Sequence, residues 1–229
     1  MSKLKRHAAP KFWPIERKTK KYSVNPSPGP HSKEKCMPLG VILRDVMKAA
    51  DNMKEAREIL LNGFVKVNGV KRSRQNFPVG LMDILSVGDQ EYRMLVSKNG
   101  LYLQKIEGKE TGVRLCRVED KHWIGGKLQI NMHDGTNMIS NVKCSTGDVL
   151  VIGLPEMNVK EVLKLEKNSV VLVTAGNNSG DVGKIQEIIV TRSAKPNQAV
   201  VSLGNRSVSL PRDFVFVVGK EKPVISVGV

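Results

Sequence analysis

The residues able to carry out chemistry are few, and their spacing does not combine them. The four histidines are His7, His31, His122 and His133. His7 and His31 stand in a basic, proline-rich segment. His122 beside Trp123, and His133 beside Asp134, fall in turns of a strand-rich region, at spacings that match no standard zinc motif. The three cysteines, Cys36, Cys116 and Cys144, are odd in number and widely separated. They form neither a disulfide framework nor a C-x-x-C half-site, and they read as buried thiols. No G-x-S-x-G elbow and no H-E-x-x-H pair is present, and the carboxylates are scattered as on a solvated surface. The expectation is a chain with no catalytic residues, no metal, no cofactor and no small-molecule substrate.

One glycine-bearing stretch invites comparison with phosphate-binding loops. It reads Thr174-Ala175-Gly176-Asn177-Asn178-Ser179-Gly180-Asp181-Val182-Gly183-Lys184-Ile185. A Walker loop needs Gly-Lys-Ser/Thr opening a helix, and a dinucleotide fingerprint also needs a helix after its glycines. Here strand-forming residues follow, so a glycine-rich β turn between two strands is the better reading. Gly176, Gly180, Gly183 and Lys184 define it.

The strongest chemical signal is charge. The 229 residues carry a formal net charge of +15, with a pI near 9.8. Such an excess favours an anionic partner, nucleic acid first and an anionic membrane second. The membrane reading is weakened, since no long apolar span and no basic amphipathic helix ending in aromatics is visible. No signal peptide is visible either, so a cytoplasmic protein is expected.

The charge is unevenly spread. Residues 1–35 hold Lys3, Lys5, Arg6, Lys11, Arg17, Lys18, Lys20, Lys21, Lys33 and Lys35 against Glu16 and Glu34, a net +8. Five of the eleven prolines, Pro10, Pro14, Pro26, Pro28 and Pro30, lie in the same stretch. Proline removes backbone donors and fixes φ, so no regular element is expected there. Two readings stand: an arm that orders on RNA, or a solvated disordered tail. Phe12, Trp13 and Ile15 favour the first, since a merely soluble tail has no use for Trp13. Its basic groups, with His7 and His31, would meet phosphates while Trp13 stacks or packs in a groove.

Further along, Leu39, Ile42, Leu43, Val46, Met47 and Ala50 follow helical spacing, with Pro38 at the first turn. Asp51 or Asn52 caps a second helix, and Glu55 three residues after Asn52 resembles a capping box. Met53, Ala56, Ile59 and Leu60 form its apolar stripe, and Asn62-Gly63 ends it. Phe64-Val65-Lys66-Val67, then Asn68-Gly69, then Val70 read as a hairpin with a type I′ turn. Lys66, Lys71, Arg72 and Arg74 cluster on it, and Lys54 and Arg57 lie one turn apart on the preceding helix. A charge run is usually a solvated face. Here helix and hairpin charges are expected to converge on one RNA segment.

From 91 to 168, short runs alternate with turns. The runs are Tyr92–Val96, Tyr102–Ile106, Leu115–Val118, Leu128–Ile130 and Val149–Ile152. The turns are Asn99-Gly100, Gly125-Gly126, Asp134-Gly135 and Thr146-Gly147-Asp148. This pattern suggests a small antiparallel β domain. From 169 to 229, Val170–Val173, the glycine turn and the strand after it suggest a further small β unit.

Three resemblances overlay this reading. The two helices with the hairpin over 37–90, closed by Pro78-Val79-Gly80-Leu81-Met82-Asp83-Ile84-Leu85-Ser86-Val87, resemble the "S-four" RNA-binding module. The usual Ser-Arg before the second helix is replaced by Asn52-Met53-Lys54-Glu55-Ala56-Arg57. The glycine turn resembles the KOW motif of an SH3-like barrel, from which Asp181 departs in charge. The order of parts as a whole resembles the archaeal and eukaryotic small-subunit ribosomal protein family S-four-e. Leu4-Lys5-Arg6-His7-Ala8-Ala9-Pro10-Lys11-Phe12-Trp13, Gly29-Pro30-His31, Pro38-Leu39, Phe77-Pro78, His133-Asp134-Gly135 and Phe214–Lys220 carry that likeness.

The resemblance implies an α+β, mostly β chain. It has a basic extended arm (1–36), an S-four-type module (37–90), a central antiparallel β domain (91–168) and a C-terminal KOW barrel (169–229). It implies a non-enzymatic structural component of the small ribosomal subunit, bound to small-subunit ribosomal RNA and neighbouring ribosomal proteins. The absence of an extended basic tail beyond Val229 favours an archaeal source. Two rival readings are a KOW-containing transcription elongation factor and an RNA-modifying enzyme. The first needs a polymerase-binding domain and the second a catalytic motif.

Overall fold

A proline-rich segment cannot satisfy its own backbone groups by a regular ladder, so something else must. In the computed structural model, which describes residues 3–191, 196–204 and 206–227, two arginines do this for the N-terminal segment. The Arg6 side chain is buried and donates to the Glu16 carbonyl and the Thr19 hydroxyl. The Arg17 guanidinium donates to the carbonyls of Ala9 at 3.0 Å and Pro10 at 2.8 Å. A guanidinium offers five donors in a rigid fork and so replaces a missing ladder.

The chain divides into two compact units, Met1–Leu95 with Asn99–Thr111, and Val96–Lys98 with Gly112–Val229. In the first, β1 (Leu4–Lys5) pairs antiparallel with β2 (Tyr22–Ser23). Then come β3 (Cys36–Pro38), α1 (Leu39–Val41), a π turn over Ile42–Val46, and α2 (Met53–Leu61). They are followed by β4 (Val65–Val67), β5 (Val70–Lys71), β6 (Pro78–Gly80), β7 (Ile84–Val87), β8 (Gln90–Ser97, whose last two residues belong to the second unit) and β9 (Gly100–Ile106). Strand β3 pairs with β6, and a five-stranded sheet runs in the order β5-β4-β7-β8-β9.

Local sequence explains the helices. Asn52 Oδ1 accepts from the Lys54 and Glu55 amides at 2.9 and 3.1 Å, and Glu55 reaches back to the Asp51 amide at 2.8 Å. The cap is therefore Asn52, with the reciprocal bond one residue earlier than a standard capping box. The first helical stretch is shorter than its spacing suggests. It widens so that the Met47 amide bonds to the Ile42 carbonyl at 2.9 Å, and it ends at Lys48, whose φ is 53°. Gly40 and the β-branched Val41, Ile42 and Val46 all weaken an α-helix. At the hairpin, Asn68 and Gly69 have φ of 52° and 80°, the positive pair that a type I′ turn requires.

In the second unit, one five-stranded sheet has the order β12-β11-β10-β13-β14. Its strands are β10 (Val113–Ile124), β11 (Lys127–Met132), β12 (Asn137–Ile139), β13 (Val149–Gly153) and β14 (Asn158–Leu163). The long β10 pairs with β13 through its first half and with β11 through its second, with a register shift between Val118 and Asp120. A second five-stranded sheet has the order β18-β17-β16-β15-β19. It is built of β15 (Val170–Val173), β16 (Val182–Ile189), β17 (Gln198–Leu203), β18 (Arg206–Pro211) and β19 (Val215–Gly219).

The structure corrects two expectations. Strands β8 and β9, placed by the sequence in a central β domain starting at 91, instead extend the hairpin sheet of the first unit. The 1–36 segment is not an arm without a core. Leu4, Ala9, Trp13 and Ile15 are buried in the same apolar cluster as Leu39, Leu60 and Val65. Trp13 is 2% exposed, and its indole N–H donates to the Cys36 carbonyl at 2.9 Å. A buried indole with its donor satisfied contributes both area and a fixed direction.

Trp13→Ala should therefore destabilise the first unit by about 3–5 kcal/mol, as for other buried large-to-small changes. Urea unfolding of the two proteins measures it. An unchanged midpoint would mean that the N-terminal segment is not docked in solution.

A buried ion pair braces the second unit. Arg114 Nη2 lies 2.7 Å from Asp134 Oδ2, with side-chain exposures of 2% and 0%. Burial alone would raise the Asp134 pKa, but Arg114 and two hydrogen bonds from Thr136 outweigh it, so the pKa is lowered. A carboxyl with a depressed folded pKa stabilises fully above its unfolded value near 3.9 and loses that stabilisation as pH falls through the folded one. Asp134→Asn should cost about 3–5 kcal/mol at pH 7, because it leaves Arg114 buried and uncompensated. The deficit should shrink below about pH 4, where the unfolded wild-type carboxyl takes up a proton that the folded one still refuses. Thermal unfolding across pH checks this, and a deficit independent of pH would assign the effect to packing.

Candidate nucleic-acid interface

Three surfaces collect the expected RNA-contacting residues, and the structure sorts them by whether their charge is free to act. On the N-terminal segment, Lys3, Lys5, His7, Lys11, Lys18, Lys20 and Lys21 are exposed. Arg6, Trp13 and Arg17 are spent on the protein itself, as described. His31 is also internal: its side chain is 3% exposed and Nε2 lies 2.8 Å from Asp83 Oδ2. Trp13 and His31 were expected to face RNA. Their burial comes from partners in β3 and in the turn before β7, which spacing along the segment does not reveal.

One residue of this surface was not anticipated. Pairing of β1 with β2 sets Lys5 opposite Tyr22. The ammonium groups of Lys3 and Lys21 lie 5.5 and 5.4 Å from the Tyr22 ring centroid, and the ring is 42% exposed. Two cations held at one aromatic make a surface suited to phosphate and base together. The run Lys20-Lys21-Tyr22 was the available signal.

The second surface is the hairpin. Val65 and Val67 point inward and Lys66 outward, as strand alternation requires. Lys66 stands directly opposite Lys71. Like charges across an antiparallel pair repel, so this arrangement is poor for the free protein and good for an anion bound over it. Lys71 lies over the turn after α2, where Gly63 with φ of 76° leaves room for its stem. Arg72 is half-buried, its guanidinium carbon 4.4 Å from the Phe77 ring centroid. Arg74 is exposed. Exposed Phe64 and Val70 add apolar surface to the same hairpin. Lys54 and Arg57 lie on the outer face of α2 but alternate with exposed Glu55 and Glu58. That helix offers a mixed surface, unlike the hairpin.

The third is the glycine turn between β15 and β16. Gly176 and Gly180 have φ of 88° and 91°. A Cβ at Gly180 would stand 2.8 Å from the Ser97 Cα, and one at Gly183 would strike the Ser202 carbonyl. Both glycines therefore sit where a backbone passes closely. The Ser179, Gly180 and Asp181 amides bond to the Gly176, Val173 and Asn178 carbonyls. These three donors are thus turned inward, where they close the turn instead of facing a phosphate. Of the four residues marked there, Lys184 alone offers exposed charge.

One cluster has the composition of a nucleophilic site. Cys36 pairs in register with Gly80, and Asp83 accepts from both the Gly80 amide and His31. Burial, and then the Asp83 carboxylate, push the Cys36 thiol up to about 12. A thiol so raised is protonated at neutral pH and is a poor nucleophile. Among the described residues no group of His, Cys, Asp and Glu is arranged to hold a metal, and no helix is long and apolar enough to cross a membrane.

Gly180→Val should strain the β15–β16 turn by about 1–3 kcal/mol. A lowered unfolding midpoint is the expected result. An unchanged one would show that the turn relaxes freely.

Comparison with known proteins fits this geometry. Residues 88–159 match the family model for the ribosomal family S4e, and residues 2–34 match that for the RS4NT (NUC023) domain. The chain is 44% identical over 229 residues to small ribosomal subunit protein eS4 of Methanothermobacter thermautotrophicus, covering 97% of this chain and 94% of the relative. It is 39% identical to the eS4 protein of Archaeoglobus fulgidus, covering 98% and 97%. The crystal structure of the 30S ribosomal protein S4e from Thermoplasma acidophilum superposes with a TM-score of 0.72 at 30% identity, covering 81% of this chain and 96% of that one. With shared sequence running the length of both chains and a shared fold beneath it, the protein belongs to the S4e family of ribosomal proteins.

Proposed function

We propose that the chain is a structural component of the archaeal small ribosomal subunit. It binds small-subunit ribosomal RNA beside neighbouring ribosomal proteins, in the cytoplasm, and catalyses no reaction. The observation that carries this reading is similarity over nearly the whole chain to archaeal eS4 proteins. The distribution of charge supports it, since the exposed positive groups are mainly lysines outside the core. In this reading α1, α2 and the β4–β5 hairpin act as the S-four-type module. The β15–β19 sheet acts as the KOW barrel, with its glycine turn a structural corner and Lys184 a phosphate-facing charge just after it. The RNA face of the first unit comprises Lys66, Lys71 and Arg74, with Arg72 stacked behind them. Lys3, Lys5, Lys11, Lys18, Lys20 and Lys21 around Tyr22 form a second contact. Neither the elongation-factor nor the RNA-modifying reading gains an observation.

Lys71→Glu separates the functional role from a merely structural one. It turns a repelling pair with Lys66 into an attracting one, so stability should rise by about 0.2–1 kcal/mol. Binding to small-subunit ribosomal RNA should fall, and the slope of log affinity against log salt should flatten by about 0.7–0.9. Thermal unfolding and a salt series of binding measurements give both numbers. Unchanged affinity with raised stability would make the lysines guards of the exposed β5 edge, which resist pairing with another chain.

A further inference from the structure

The second unit holds a groove of about 890 Å³ that none of the surfaces above includes. One wall is β10. Lys121 and Trp123 are two residues apart on that strand and so project from the same face. Trp123 stands opposite Leu128 across the β10–β11 ladder, and Leu128 and Cys144 supply apolar floor. The indole is 74% exposed, the largest exposure among the bulky apolar residues described. Leaving so large an aromatic in water is unfavourable, and Trp13 shows that the fold can bury one when it is structural.

The far wall is built to hold charge. Asp148 is buried and accepts from the Ser145 amide at 2.7 Å and the Leu165 amide at 3.0 Å. It thereby clamps the 145–148 turn to the segment after β14. The Arg212 guanidinium lies against Gly147, whose φ is 89°, and donates to the Thr146 carbonyl. A side chain at 147 would push Arg212 away. Lys121 is steadied by the Cys144 carbonyl at 2.8 Å, while Lys143 has no partner among the described residues. With Lys164, four cations line the groove against Asp148 and Glu166. Asp148 is turned to backbone amides, and Glu166 pairs loosely with Lys164 at 3.7 Å.

We infer that this groove takes an unpaired RNA nucleotide, its base stacked on Trp123 and its flanking phosphates on Lys121, Lys143 and Arg212. The inference rests on the ribosomal-RNA reading above and adds to it a site for single-stranded RNA in the second unit. A duplex keeps its bases stacked on one another and cannot offer a face to the indole. An exposed aromatic beside a basic track therefore selects unpaired RNA. An acidic protein segment would satisfy the cations but would leave the indole face unused.

The test uses the full chain with a single-stranded RNA octanucleotide, a matching duplex, inorganic phosphate and an octaglutamate peptide. Tryptophan fluorescence is the readout. Trp13 is buried, so quenching reports Trp123. The octanucleotide should quench it while the duplex and phosphate do not. Trp123→Ala should weaken octanucleotide binding by about 5- to 150-fold, the loss of one base–aromatic stack, and Trp123→Phe should recover most of it. Lys143→Glu should flatten the salt slope by about 0.7. Lys71→Glu should leave the quenching unchanged, since it alters a different surface. Equal quenching by octaglutamate would assign the groove to an acidic protein segment and overturn the inference. Intact ribosomal RNA binding with no octanucleotide quenching would overturn it alone. Failure to bind ribosomal RNA at all would overturn the reading on which it rests.

Discussion

Asp83 is 0% exposed, yet its carboxylate reaches three separate parts of the first unit. It accepts from the Gly80 amide at 2.9 Å, from His31 Nε2 at 2.8 Å and from Asn68 Nδ2 at 2.9 Å. Asn68 in turn accepts from the Ile84 amide at 2.9 Å. A buried carboxylate is costly unless its oxygens are well supplied with donors. Those donors come from the N-terminal segment, the end of β6 and the β4–β5 hairpin. The register of the hairpin, and with it the direction of Lys66 and Lys71, is tied to the docking of residues far earlier in the chain. Gly80 makes this possible, since a side chain there would occupy the place of the His31 ring.

The two kinds of cation divide the labour. Arg6, Arg17, Arg93 and Arg114 are turned inward. Arg93 binds the Glu110 carboxylate at 3.0 Å and its carbonyl at 2.9 Å. A guanidinium can satisfy several acceptors at once, as those of Arg6, Arg17 and Arg93 do, which suits it to closing irregular backbone inside a fold. The lysines stay outside, where a hydrated point charge on a flexible stem meets phosphate. Net charge thus overstates how many positive groups are free to meet a partner and understates how far the free ones are concentrated.

What was legible in the sequence was local. The Asn52 cap and the Asn68-Gly69 turn depend on residues within a few positions, and the structure has both. Gly180 and Gly183 were marked by their spacing, but what passes close to them, Ser97 and Ser202, lies far along the chain. Strand runs such as Val170–Val173 were also plain, because a short, valine-rich apolar run that leads into a glycine turn is too short for a helix. Polar strands were not: β12, β14 and β18 present exposed or half-exposed residues at most positions, and their alternation is faint. Long-range partners were invisible. Nothing near Trp13 says that Cys36 will take its N–H, and nothing near His31 points to Asp83. The exposed Trp123 read as one more turn residue, because its surroundings come from β11 and the segment after β14.

The docking of the N-terminal segment also bears on the order of events during synthesis. Trp13 waits for the carbonyl of Cys36, and His31 waits for Gly80 and Asp83. A ribosome adding about 5–20 residues per second needs several seconds to travel that far. Residues made early are thus among the last in their unit to find their places. Throughout that interval a strongly cationic ribbon hangs from the translating ribosome with its tryptophan uncovered. Any anion that holds it during the wait competes with its folding, so the timing of contact with RNA matters as much as its strength.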